Sequence, residues 1–217
     1  RRQINVISIS EKDFLIVKKY VLLMVAVCIL FPIFLMSRLT EYAGILGYVL
    51  VTVVSIFMLL QYVSIKETQY PKAVTLLCAL PFSRKSVVLS KYIFCIVIYA
   101  GCSLIFWLEA LIFPTLQTVS YKIPVILFLI LSICLGIYFP IQFKLGYERT
   151  KMFFVVVIMA SPIGFAQFLK MTENLNIEFL SNITPALLLI GSFTISAVIL
   201  IISSIISIKI YSKAELV

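Results

Sequence analysis

The chain has 217 residues, of which 63% are hydrophobic and only 12% charged, with a formal net charge of +9 at pH 7. A soluble domain carries roughly 25% charged residues, so a water-soluble globular fold is excluded, and the short polar remainder leaves no room for a second packed core. The basic residues are scattered over the ends of apolar stretches and do not form one groove-facing stripe, which excludes nucleic acid as a partner.

Six apolar stretches, at 20–37, 44–62, 92–113, 123–140, 152–168 and 185–208, predict membrane-spanning helices. A backbone without water around it must satisfy its polar groups within its own segment, and such lengths at ~1.5 Å per residue match a hydrocarbon core of roughly 30 Å. The expected fold is all-α and polytopic, one transmembrane domain over 1–217. Fifteen of the eighteen Lys and Arg residues fall in the N-terminal segment, the second and fourth loops and the tail, while only Arg38, Lys122 and Lys170 lie in the alternate loops. By the positive-inside rule both termini are cytoplasmic. Tyr20, Tyr42, Tyr62, Tyr92, Trp107, Tyr121, Tyr138 and Tyr211 sit near predicted span ends, as an interfacial aromatic belt does.

Ahead of the first span, Ser10-Glu11-Lys12-Asp13 fits a capping pattern, and residues 13–19 mix an apolar run with flanking charges. Two readings weigh equally: a short amphipathic helix on the inner interface, or an early start to the first span. No cleavable signal is expected before it, and a first residue other than Met leaves open a trimmed N-terminal edge. Cys28, Cys78, Cys95, Cys102 and Cys134 lie in or beside apolar stretches with no metal-ligand spacing. They read as small buried hydrophobes, and the chain has no histidine to complete a metal site.

The longest hydrophilic interruption runs from Lys66 to Lys91. Pro71 and Pro81 bracket a two-turn helix at 72–80, since proline suits a first turn and pushes the residue before it out of helical geometry. Ala73, Leu76, Leu77 and Leu80 share one face of it. Ser83 is placed to cap a second helix carrying Arg84, Lys85 and Lys91 into the third span. Composition alone gives equal standing to a solvated connector held by lipid head groups.

These residues carry a family resemblance. Leu80-Pro81-Phe82-Ser83-Arg84-Lys85 followed by Leu89-Ser90-Lys91-Tyr92 resembles the signature between the second and third spans of type 2 ABC transporter permeases. The stretch Tyr138-Phe139-Pro140-Ile141-Gln142-Phe143-Lys144-Leu145-Gly146-Tyr147-Glu148-Arg149 is similar to the one that follows their fourth span. With the six spans, the likeness covers nearly the whole chain.

The resemblance implies a permease that works with a separate ABC ATPase, which binds ATP and Mg; no cofactor is expected on this chain. The sequence agrees, for it contains no G-x-x-x-x-G-K-[ST] phosphate loop. In such permeases the helix between spans two and three is a coupling helix. The implied contacts are Lys72, Ala73, Leu76, Leu77 and Leu80, with Lys66 and Glu67 at its start, Arg84 and Lys85 at its end, and Lys144, Gly146, Glu148 and Arg149 as a second cytoplasmic contact. A second permease subunit, identical or a sister chain, is implied too, as are a bacterial plasma membrane and export of a hydrophobic or amphipathic cargo such as a toxin or antimicrobial peptide.

Pro162 removes a backbone hydrogen bond, so a kink or gate is expected around Pro162 and Gly164. The region 163–183 is read as re-entrant short helices or as an ordinary loop. Asn182-Ile183-Thr184 matches a glycosylation triplet that arises often by chance. Glu109, the sole carboxylate in a confident span, lies about 27 Å from Lys91 along a helix and is expected to be solvated at the outer interface. An ion-coupled secondary transporter or a membrane-embedded enzyme are the competing classes. Both need buried acids, paired carboxylates or activated nucleophiles that the spans do not supply.

Overall fold

In the computed structural model, residues 17–36, 43–69, 84–113, 122–153, 155–156, 160, 164, 167 and 185–213 are described. Five long helices account for most of them: α1 (Lys18–Met36), α2 (Ala43–Gln69), α3 (Arg84–Ile112), α4 (Lys122–Leu145) and α5 (Pro185–Lys213). All five are long and apolar enough to cross a membrane, and no strand occurs among the described residues. The described part of the expected fifth span, at 152–153, 155–156, 160, 164 and 167, is helical as well, and so are residues 147–151 before it. The N-terminal stretch up to residue 16, the proposed helix at 72–80, and most of 163–183, Pro162 included, lie outside the described residues.

Four helices overrun the apolar stretches that announced them, α5 by running past residue 208 to Lys213. α2 continues through Lys66 and Glu67 to Gln69, α3 begins at Arg84 rather than Tyr92, and α4 continues to Leu145. Hydropathy stops at the first charges, whereas backbone hydrogen bonding continues wherever polar side chains reach water or a partner. α4 stops at Gly146, whose φ of +79° is the left-handed region open to glycine, and whose N–H donates to the Gln142 carbonyl at 2.9 Å. That single bond closes the helix by the left-handed cap motif.

Two thirds of the α2 span (67%) is buried but only 17% of the α1 and α5 spans, so α2 is the centre of the bundle. α1 packs on α2, α3 bridges α1, α2 and α5, and α4 lies most extensively on α5. The core joins Phe57, Leu60 and Val63 of α2 to Val88, Phe94 and Cys95 of α3 and to Tyr138 and Phe139 of α4. Outward faces carry Leu22, Leu30, Phe34, Leu104, Trp107, Phe193, Ile201 and Ile205, all exposed. So much apolar surface would be unfavourable in water at about 25 cal/mol per Å²; it is the surface a lipid-facing helix needs.

Close approaches occur where side chains are small. A Cβ at Gly136 of α4 would sit 3.0 Å from Ile199 Cγ2 of α5, and one at Gly47 of α2 would sit 3.5 Å from Pro32 in α1. Small residues at helix contacts are the usual means of packing without a hydrophobic drive.

Candidate functional site

Of the residues singled out from the sequence, the described ones of the second and fourth loops lie at one end of the bundle, near an ion pair that the sequence did not announce. Lys91 Nζ of α3 donates to Glu67 Oε2 of α2 at 2.7 Å, with the lysine only 4% exposed. Burying a lysine is costly unless it is paired, and the pair also fixes the axial register of α2 against α3. Lys91 therefore lies within the bundle, on the helix that was expected to carry it into the third span, and Glu67 is committed there with it. Beside it, Lys66 donates to Gln69 Oε1 at 3.3 Å and stands 5.9 Å from the centre of the Tyr62 ring.

One residue further along α3, Tyr92 links three helices. Ser203 of α5 donates to the Gly136 carbonyl of α4 at 2.8 Å, which uses its one proton, so Tyr92 must donate to Ser203 (2.7 Å) and accept from Ser207 (3.0 Å). All three side chains are buried. Ser90, also fully buried, returns its hydroxyl to the Val87 carbonyl at 2.8 Å. The Ser90-Lys91-Tyr92 part of the first motif is thus a set of braces joining α3 to α2 and α5.

The second motif is structural in the same way. Tyr138 and Phe139 are fully buried, Phe139 packing on Tyr92 at 4.4 Å between ring centres and Tyr138 on Phe153 at 5.3 Å. Phe143 meets Tyr211 of α5 at 5.3 Å. Gln142 Nε2 donates to Ser64 Oγ of α2 at 2.9 Å, while Ser64 donates to the Leu60 carbonyl. This contact brings the two predicted patches together, because Ser64 lies two residues before Lys66 and Gln142 two before Lys144.

Around that contact, Lys85, Lys144, Gly146, Glu148 and Arg149 are exposed, Arg84 opens α3, and Glu148 pairs with Lys151 at 3.1 Å. Lys72, Ala73, Leu76, Leu77 and Leu80 lie outside the described residues. Gly164 is helical and exposed, with nothing within 4 Å of where a Cβ would be, and is remote from this cluster in sequence.

Further along the bundle the polar groups form a second, neutral set. Tyr48 donates to Ser103 Oγ (2.8 Å) and approaches Tyr99 Oη (3.3 Å), Ser103 donates to the Tyr99 carbonyl, and Tyr99 donates to the Pro124 carbonyl of α4 at 2.7 Å. Cys28 Sγ of α1 lies 3.8 Å from Cys102 Sγ of α3 and 3.5 Å from Ser55 Oγ of α2. These cysteines are buried and free, as expected, and no group of metal-ligating side chains occurs among the described residues. A cavity of about 520 Å³, lined by Tyr99, Phe128, Phe193, Leu200 and other apolar residues, opens between α3, α4 and α5.

Glu109 departs from expectation. It is 6% exposed rather than solvated, and neither carboxylate oxygen has a hydrogen-bond partner among the described residues. The available signal was its place seven residues beyond Cys102 and fourteen beyond Cys95, which puts all three on the inward stripe of α3.

A bundle of lipid-facing helices, cross-braced by hydroxyls and a buried ion pair and presenting its basic residues at one end, defines a polytopic membrane protein. The model of the ABC-2 family transporter protein matches residues 8–212, and the chain belongs to that family. It is thus a transport permease component, of a family that normally works with an ABC ATPase. No curated protein and no solved structure matches it significantly.

Proposed function

We propose that the chain is the membrane subunit of an ATP-driven exporter in a bacterial plasma membrane, with both termini cytoplasmic. It takes its energy from a separate ABC ATPase seated on 72–80 and the flanking Lys66, Glu67, Arg84 and Lys85, with Lys144 to Arg149 as a second contact. The observation that carries this is a family match over residues 8–212 in a sequence with no phosphate loop of its own. The Lys91–Glu67 pair supports it. It ties the end of α2 to the third helix, so that force on the 70–83 connection is delivered to two helices at once. Two permease subunits flank the pathway, and the cargo is a hydrophobic or amphipathic molecule, with amphipathic peptides as the preferred class because apolar spans offer little to a polar solute.

The test is co-expression with candidate ABC ATPases from the same genome, followed by purification and transport into inside-out vesicles. Leu76→Asp and Arg84→Glu are expected to abolish co-purification and ATP-dependent uptake while leaving thermal stability in detergent unchanged. Transport without any nucleotide-hydrolysing companion, or labelling of cysteines placed in 72–85 by an impermeant reagent added outside intact cells, would overturn it.

A further inference from the structure

Most buried polar side chains among the described residues have a partner, and Glu109, unlike the neutral Thr52 hydroxyl that also lacks one, carries an ionisable group. Lys91, Ser90, Tyr92, Ser132, Ser196 and Ser203 are all hydrogen-bonded or paired at 4% exposure or less. Glu109 is buried to the same degree, yet no described residue reaches either of its oxygens. A carboxylate withdrawn from water without a hydrogen bond or counter-charge is strongly disfavoured, and intramembrane acids mark ligand or ion sites.

We infer that Glu109 is the head-group site for a cationic amphipath, its carboxylate receiving an ammonium-type group while the ligand's apolar part lies along the same end of α3. Glu109 lies three residues before the last of α3 and about 27 Å along the helix from Lys91, so a ligand entering from the far leaflet reaches it without crossing the core. Around it the same helix end presents Trp107, Leu108, Leu111 and Ile112, all between 47% and 71% exposed. Of these, Leu108 and Ile112, one residue before and three after Glu109, flank its side of the helix and form an apolar edge beside the buried anion, the complement of a molecule with one positive head and an apolar body. The pairing supplies the counter-charge that no described residue supplies, and it selects for charge sign in an otherwise apolar environment. The inference rests on the exporter reading only for the view that this ligand is cargo; the binding step needs neither ATP nor a partner.

The test uses the whole chain reconstituted in phosphatidylcholine vesicles and dicyclohexylcarbodiimide, an apolar reagent that adds to carboxyl groups shielded from water. Mass spectrometry of the peptide containing residue 109 reads the modification, with Glu109→Gln as the unreactive control. Dodecyltrimethylammonium, present at about ten times its dissociation constant, is expected to slow labelling about tenfold by mass action, and dodecanol is expected to leave it unchanged. Equal labelling with and without the cation, equal protection by dodecanol, or no labelling in the vesicles at all would each overturn the site. Because no transport is measured, a failed exporter reading would leave this result standing, and a failed site would leave the exporter reading untouched.

Discussion

Ser203 of α5 gives its hydroxyl proton to the backbone carbonyl of Gly136 in α4, at 2.8 Å, and the cause lies four residues further along α4. Residue 140 is proline, so the N–H that would pair with that carbonyl does not exist. A neighbouring helix supplies the donor, as membrane bundles do around interior prolines. Ser203→Ala is therefore expected to cost about 1 kcal/mol. In a Pro140→Ala background, where the helix can pair the carbonyl itself, the cost should fall below half of that. Equilibrium unfolding in mixed micelles measures the cycle, and equal losses in both backgrounds would disprove the coupling.

Glu67→Gln removes the charge opposite a lysine that is 4% exposed. The expected loss is about 1.5–3 kcal/mol, the range for hydrogen bonds to charged groups. Adding Lys91→Met should recover most of it, since breaking a buried pair harms more than replacing both members. Thermal denaturation of the single and double variants checks the order of stabilities.

Gly146→Ala places a Cβ where φ is +79°, and left-handed geometry costs a residue with a Cβ about 1–2 kcal/mol. The space around it is open, so the loss is conformational rather than steric, and Gly146→Asn should lose less. Comparing the two variants by unfolding separates these causes.

Cys28 and Cys102, 3.8 Å apart between sulfurs, are expected to join when membranes are treated with molecular iodine. The two thiols are oxidised to one disulfide and iodine is reduced to iodide, with two protons released. With a protease site placed between residues 70 and 83, the bond should hold the fragments together on non-reducing gels. Cys28→Ser should abolish that retention; its persistence would mean that α1 packs elsewhere.

Much of this architecture was legible in the sequence. The apolar stretches at 44–62, 123–140 and 185–208 each lie inside one helix, and the one at 92–113 ends one residue past α3, because lipid-facing and buried positions are both apolar. The stretch at 20–37 matches α1 to within two residues at either end. Pairings across the bundle were not legible: Glu67 with Lys91, or Ser203 with Gly136, depends on the register and rotation of separate helices, which hydropathy does not encode. Within the two family-like motifs, Lys91, Tyr92, Tyr138 and Gln142 brace the bundle from within, a role that the resemblance did not assign to them. Glu109 was misjudged because distance along a helix gives depth but not facing; periodicity gives facing, and its spacing from Cys102 held that information.

The Ser207–Tyr92–Ser203–Gly136 chain holds three helices together without a formal charge anywhere along it. Dissolved ions screen exposed charges but leave buried neutral dipoles almost untouched. Cohesion between α3, α4 and α5 should accordingly be indifferent to ionic strength, leaving the exposed basic end as the part of the molecule that responds to the saltiness of its surroundings.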